Sequence, residues 1–137
     1  MKKNLFYLLS IFVIISCSQK SHQKEIFRKL KTHINLISCK INYGVTHEEM
    51  INRNRIGSKE FNPKTDTIKY IGNEIQISYL EALTGCVKYG GDMEIKDDSL
   101  ILKLVTLNNE ECPELEFARV TYRIKNTENI KYKISRR

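Results

Sequence analysis

Tryptophan is absent, alanine is scarce, and only two prolines and six glycines occur in 137 residues. More is excluded by missing patterns than by missing residues. No apolar run reaches the about 20 residues that a helix needs to cross a bilayer; the opening one, Leu5 to Ile15, stops well short. No two of the four cysteines stand at C-x₂₋₄-C spacing, and the three histidines lie elsewhere, which removes the usual zinc sites. His47-Glu48-Glu49 starts like a zinc-protease motif, but H-E-x-x-H needs its second histidine where Ile51 stands. Neither a G-x-S-x-G elbow nor a phosphate loop is present. Asp92, Glu94 and Asp97 lack the spacing of an EF-hand calcium loop. Carboxylate pairs do exist, at Asp97-Asp98, Glu110-Glu111 and Glu114 with Glu116, and separated carboxylates can hydrolyse glycosides. On the turns and rims of a small domain they read instead as solvated faces. No cofactor, no metal and no enzymatic activity are expected.

What is present begins with an address. Lys2 and Lys3 precede the short apolar run, and "FVIISCSQK" then turns abruptly polar. A basic start, a short apolar stretch and a small residue before a cut describe a secretory signal. Ile14-Ile15-Ser16-Cys17 resembles the lipobox of bacterial lipoproteins: an aliphatic residue three positions before an obligatory cysteine, with a small residue just ahead of it. The resemblance implies that residues 1–16 are removed and that Cys17 carries the lipid. Several acyl chains, each adding about 0.8 kcal/mol per buried CH₂, make such anchoring permanent. Ser18 stands where an aspartate often signals inner-membrane retention, and "SQKSH" lacks the acidic run of some surface-exported lipoproteins. The expected location is therefore the cell envelope, at the outer membrane and facing the periplasm.

The formal charge is +7, of which the signal supplies only Lys2 and Lys3. In the cytoplasm such a balance would point to nucleic acid. Behind a lipid anchor, no nucleic-acid partner is expected; the membrane, and a protein or glycan of the envelope, are. "NRNRIGSK" and the terminal "KYKISRR" are the most basic stretches and read as solvated faces.

Residues 17–24 form a polar lipidated tether, and residues 25–137 are expected to make a single mainly-β domain. In "EIFRKLKTHI", Ile26, Phe27, Leu30 and Ile34 recur at helical spacing and predict a short amphipathic helix. Ile37, Cys39, Ile41 and Tyr43 then alternate with polar residues, the mark of a half-buried strand. Thr46 and Glu49 form a T-x-x-E capping box, with Val45 and Met50 at the positions of a hydrophobic staple. A second helix is expected from His47 to Ile56, ended by Gly57. Residues 58–66, with Asn62-Pro63, read as a loop.

From Thr67 onward the pattern is β. Ile75, Ile77 and Tyr79 alternate, as do Val120, Tyr122 and Ile124, and Tyr132 with Ile134 predict a last short strand. A two-residue turn at Asp97-Asp98 sets Lys96 opposite Ser99, Ile95 opposite Leu100 and Met93 opposite Leu102. Opposed residues share a face, so Met93, Ile95, Leu100 and Leu102 converge on one side. Six to seven short strands with turn signals between them predict a small antiparallel β-sandwich or barrel. Six tyrosines in or beside strands, among them Tyr43, Tyr79 and Tyr89, read mainly as core-edge residues, and an exposed set could bind sugar or protein.

With Cys17 lipidated, Cys39, Cys86 and Cys112 remain, and an oxidising envelope favours one bridge. Three pairings are open. Extending the hairpin register places Cys86 near Asn109, with a bulge expected at Gly90-Gly91, so Cys86–Cys112 is the closest pair. Such a bridge contributes roughly 3–4 kcal/mol by chain entropy. Cys39 is expected to be a buried thiol.

"GCVKYGG", "IKDDSLILKLV" and "CPELEFARVTYRI" make residues 75–124 resemble a recurring type of small envelope lipoprotein, which implies a compact β domain and brings no activity with it. The function expected is a non-catalytic binding or structural role on a lipid-anchored envelope protein. The alternative is a periplasmic inhibitor or immunity protein that blocks a hydrolase or toxin. Its binding loop would be "LNNEECPELE", through Glu110, Glu111, Glu114 and Glu116. Positive charge works against steering toward a cationic enzyme, whereas this acidic loop suits a basic active-site mouth.

Overall fold

The computed structural model describes residues 32–46, 48–49 and 60–137. The signal, Cys17, the tether, nearly all of the expected first helix and most of the second lie outside the described residues. Two residues of the second are helical, Glu48 and Glu49. Their capping box is formed: the Thr46 amide donates to Glu49 Oε2 (3.0 Å), and the Glu49 amide donates to Thr46 Oγ1 (3.3 Å). Those bonds, with Arg119 nearby, hold the Glu49 carboxyl below its usual range.

Seven strands follow one another along the chain: β1 (Leu36–Tyr43), β2 (Thr67–Ile71), β3 (Glu74–Thr84), β4 (Tyr89–Lys96), β5 (Ser99–Thr106), β6 (Leu115–Lys125) and β7 (Lys133–Arg136). They form two sheets, ordered β1-β6-β3-β2 and β4-β5-β7, in a sandwich-like arrangement. The apolar faces read from the alternation meet between them. Ile75, Ile77, Tyr79, Val120, Tyr122 and Ile124 come from the larger sheet, and Met93, Leu100 and Leu102 from the smaller. Burying one Leu or Ile side chain contributes about 1.5–3 kcal/mol, and this cluster draws on both sheets.

The β4–β5 hairpin has the expected register, Lys96 opposite Ser99 and Met93 opposite Leu102. Its turn needs a left-handed residue, and Asp97 takes that conformation at φ 53°. The sheet is not wholly antiparallel, however. β7 runs parallel to β5, with Leu100 opposite Ile134, and it starts at Lys133, one residue later than expected. The cause is the path of the chain: β6 ends at the same end of the sandwich where β5 begins, and the connection crosses to the other sheet and reverses there, so β7 starts beside the start of β5 and runs with it. β7 then carries Arg136 into the interior. Its guanidinium donates to Leu80 O (3.3 Å) and Glu60 O (2.8 Å), pairs with Glu81 (3.4 Å), and lies over the Tyr79 ring. One buried cation thus links the last strand of the small sheet to the large one.

Two further expectations are corrected. Gly90-Gly91 does not bulge; it pairs in continuous register with Val105 and Leu104. A Cβ at Gly91 would overlap Cys39 Cβ and Sγ and press on the Tyr122 ring, so the missing side chain lets β4 approach β1. The bulge sits instead between Leu36 and Ser38 in β1. It turns Ile37 outward, 46% exposed, while Leu36, Cys39 and Ile41 face the core. A bulge adds one residue and so inverts the alternation on one side of it.

Candidate functional site

Where β1 and β4 come together, an open pocket of about 550 Å³ lies at one end of the sandwich. Ile41 and Tyr43 of β1 form one wall, Cys86 to Tyr89 form another, and Glu116 reaches in from β6. The alternation of β6 puts Glu116 opposite Leu83, on the inner face of the sheet. The carboxylate packs over Gly85, where a Cβ would stand only 2.9 Å from Oε1. Its charge, the burial of the ring and Tyr89 together raise the Tyr43 phenol above its usual pKa, burial being the largest cause. Tyr89 is fixed in turn, since its hydroxyl oxygen accepts from the Thr84 amide at 3.2 Å.

The rim is the segment 107–114. The Cys86–Cys112 disulfide is present, with Cα atoms 6.1 Å apart. Around it the backbone is tied repeatedly. The Leu107 amide donates to Lys88 O (2.7 Å), and the Gly85 amide donates to Glu114 O (2.9 Å). Asn108 accepts from the Lys88 amide (2.8 Å) through Oδ1 and donates to Cys86 O (3.1 Å) through Nδ2. The loop is therefore held against the β3–β4 connection at both of its ends and at its cysteine. Glu110, Glu111 and Glu114 stand exposed on it, whereas Glu116 is half-buried in the pocket. Of the four carboxylates read from the sequence, one enters the cavity and three stand exposed on or next to the segment bridged to Cys86.

Cys39 is free and half-buried at the floor. Burial pushes its thiol up from 9.0 to about 11, with a hydrogen bond to Tyr122 opposing. The Tyr122 hydroxyl donates to Lys103 O at 2.6 Å, and its ring stacks on Tyr79 at 6.2 Å. Burial raises both tyrosines far above their usual range. At neutral pH the Cys39 thiol and both buried phenols are thus protonated and uncharged, and the charged side chains in the pocket lining are Lys88 and Glu116. A thiol is a nucleophile only as thiolate, so the arrangement suits binding through ring faces and one carboxylate. No group of three or more His, Cys, Asp or Glu among the described residues is arranged to hold a metal.

Sequence reasoning found the loop and its bridge but missed the cavity behind them. Tyr43 and Tyr89 are brought together only by the contact of β1 with β4. The one local signal for that contact was Gly90-Gly91.

No protein-family model, curated protein or solved structure matches the chain.

Proposed function

We propose that this chain is a lipid-anchored protein of the cell envelope whose β domain has a non-catalytic binding role. The observation that carries the reading is the acidic rim. Glu110, Glu111 and Glu114 are exposed, yet their backbone is fixed by a disulfide and by hydrogen bonds to the β3–β4 connection. Fixing a loop before binding lowers the entropy lost on association, which is what a recognition surface requires. The disulfide also fits the oxidising compartment that the lipobox implies. In this reading Cys17 holds the acyl chains at the outer membrane, and residues 18–24 tether a domain that looks into the periplasm.

The same rim favours one particular partner, a hydrolase or toxin with a basic cleft, which makes an inhibitor or immunity protein the second reading. The pocket beside it would then accept a side chain of that partner, or a sugar ring laid on Tyr43 and Tyr89.

Capture from native envelope with the acylated chain, read by mass spectrometry, tests the reading. A stoichiometric basic hydrolase or toxin supports the inhibitor; assembly or uptake proteins support an accessory role. Turnover of an envelope glycan by the purified chain, lost on Glu116→Gln, would overturn the non-catalytic reading.

A further inference from the structure

The opposite end of the sandwich carries a second surface. Strand pairing sets Leu36 opposite Ile124, Lys125 opposite Glu74, and Glu74 opposite Ile71. The Lys125 amide donates to Asn35 O (2.8 Å), the Asn126 amide to Asn73 O (2.7 Å) and the Lys133 amide to Asp98 O (2.8 Å). The residues that lead into β1, the β2–β3 turn, the β4–β5 turn and the β6–β7 connection therefore share one end. Apolar side chains stand out there: Ile34 is 93% exposed, Ile71 56% and Ile130 37%. None belongs to the core cluster. Lysines accompany them. Arg123 and Lys133 are matched by Glu74 and Asp98, while exposed Lys69, Lys125 and Lys131, the last over the Tyr70 ring at 3.4 Å, outnumber the exposed acids Asp97 and Glu128.

We infer that this end is a membrane-docking face, in which Ile34, Ile71 and Ile130 enter the head-group boundary of an anionic bilayer and Lys125 and Lys131 meet its phosphates. The inference rests on the reading of Cys17 as the lipid anchor. The described chain begins at Thr32, at this end, so the segment carrying Cys17 joins the domain beside these residues. A lipid on Cys17 would lie fifteen residues along the chain from Thr32, at the end where the described domain is entered. Isoleucines on turns beside lysines have the chemistry of an interfacial surface, and each lysine near an anionic membrane adds about fivefold in binding. The acidic rim lies at the far end of the strands, so an anionic bilayer attracts one end, repels the other, and turns the pocket toward water.

The test holds the chain from residue 17 onward on vesicles through an N-terminal histidine tag and a nickel-chelating lipid, so that attachment does not depend on acylation. Amide hydrogen exchange is compared between vesicles of phosphatidylglycerol with phosphatidylethanolamine and vesicles of phosphatidylcholine. Amides of 33–37, 70–74 and 126–131 should exchange more slowly on the anionic vesicles, and those of 107–114 should not change. Lys125→Ala with Lys131→Ala should abolish the slowing, and so should Ile71→Ser with Ile130→Ser. All four side chains are exposed, so unchanged thermal midpoints confirm folding. Equal exchange on both vesicles, slowing at 107–114, or slowing that survives both double variants would overturn the docking face. The intact mass of the chain from cells reports acylation separately. An unacylated chain that still docks removes the anchor and keeps the face; an acylated chain that does not dock removes the face and keeps the anchor.

Discussion

The two ends of this sandwich are built from the same strands and differ in almost everything else. At the end that leads into β1, tight turns such as Gly72-Asn73 and Asp97-Asp98 join neighbouring strands, and exposed isoleucines stand among lysines. At the other end a disulfide and Asn108 tie the β5–β6 connection to the β3–β4 connection, and a pocket opens with Glu116 on its wall. A short turn needs little beyond one left-handed residue to fix it. A longer loop closes at a greater entropic cost and stays flexible unless something ties it. Both longer connections, 107–114 and 126–132, are tied by an asparagine, Asn108 and Asn126, and only the first is also tied by a disulfide.

That contrast can be broken from the largest effect downward. Replacing Cys86 and Cys112 by serine should cost roughly 3–4 kcal/mol in urea unfolding and speed amide exchange in 107–114, while exchange at 70–74 and 126–131 stays as it was. A smaller loss, about 1–3 kcal/mol, is expected for Gly91→Ala, because the new methyl overlaps Cys39. Part of it should return with Cys39→Gly, the coupling of two residues that share one space. Alkaline titration reports the same floor. Folding raises the Cys39 pKa from 9.0 to about 11, so the folded state disfavours the thiolate. The Cys39 contribution to stability should be constant below pH 9.0 and fall between there and pH 11, so the alkaline fall should be shallower in Cys39→Ala. At the proximal end, a double-mutant cycle on the exposed Arg123–Glu74 pair should give no more than about 1 kcal/mol. A larger coupling there would mean that an exposed ion pair braces this end as strongly as the disulfide braces the other.

Much of the fold could be read from period-two patterns. Ile75, Ile77 and Tyr79 alternate, Val120, Tyr122 and Ile124 alternate, and both sets fill the core. The Asp97-Asp98 turn fixed a register that in turn singled out the Cys86–Cys112 bridge. What escaped were features set by contacts distant in sequence. Ile37 fits the strand pattern as well as Leu36 does, and only pairing with β6 reveals the bulge that turns it outward. β7 runs parallel to β5 because β6 ends where β5 begins, which four residues cannot encode. Gly91 has no local reason to be glycine; its reason is Cys39 on another strand. The pocket inherits this limit, since its walls come from three separate stretches of chain. Of the four glutamates, Glu116 differs from the rest only through its position in β6.

The most direct test of a division between a binding end and an anchored end is paired capture from native envelope. The acylated wild-type chain is compared with Glu110→Gln/Glu111→Gln/Glu114→Gln and with Lys125→Ala/Lys131→Ala, and partners are quantified by mass spectrometry. Partner recovery should collapse for the glutamate variant and persist for the lysine variant. A partner that is retained by the glutamate variant and lost from the lysine variant would contradict the account.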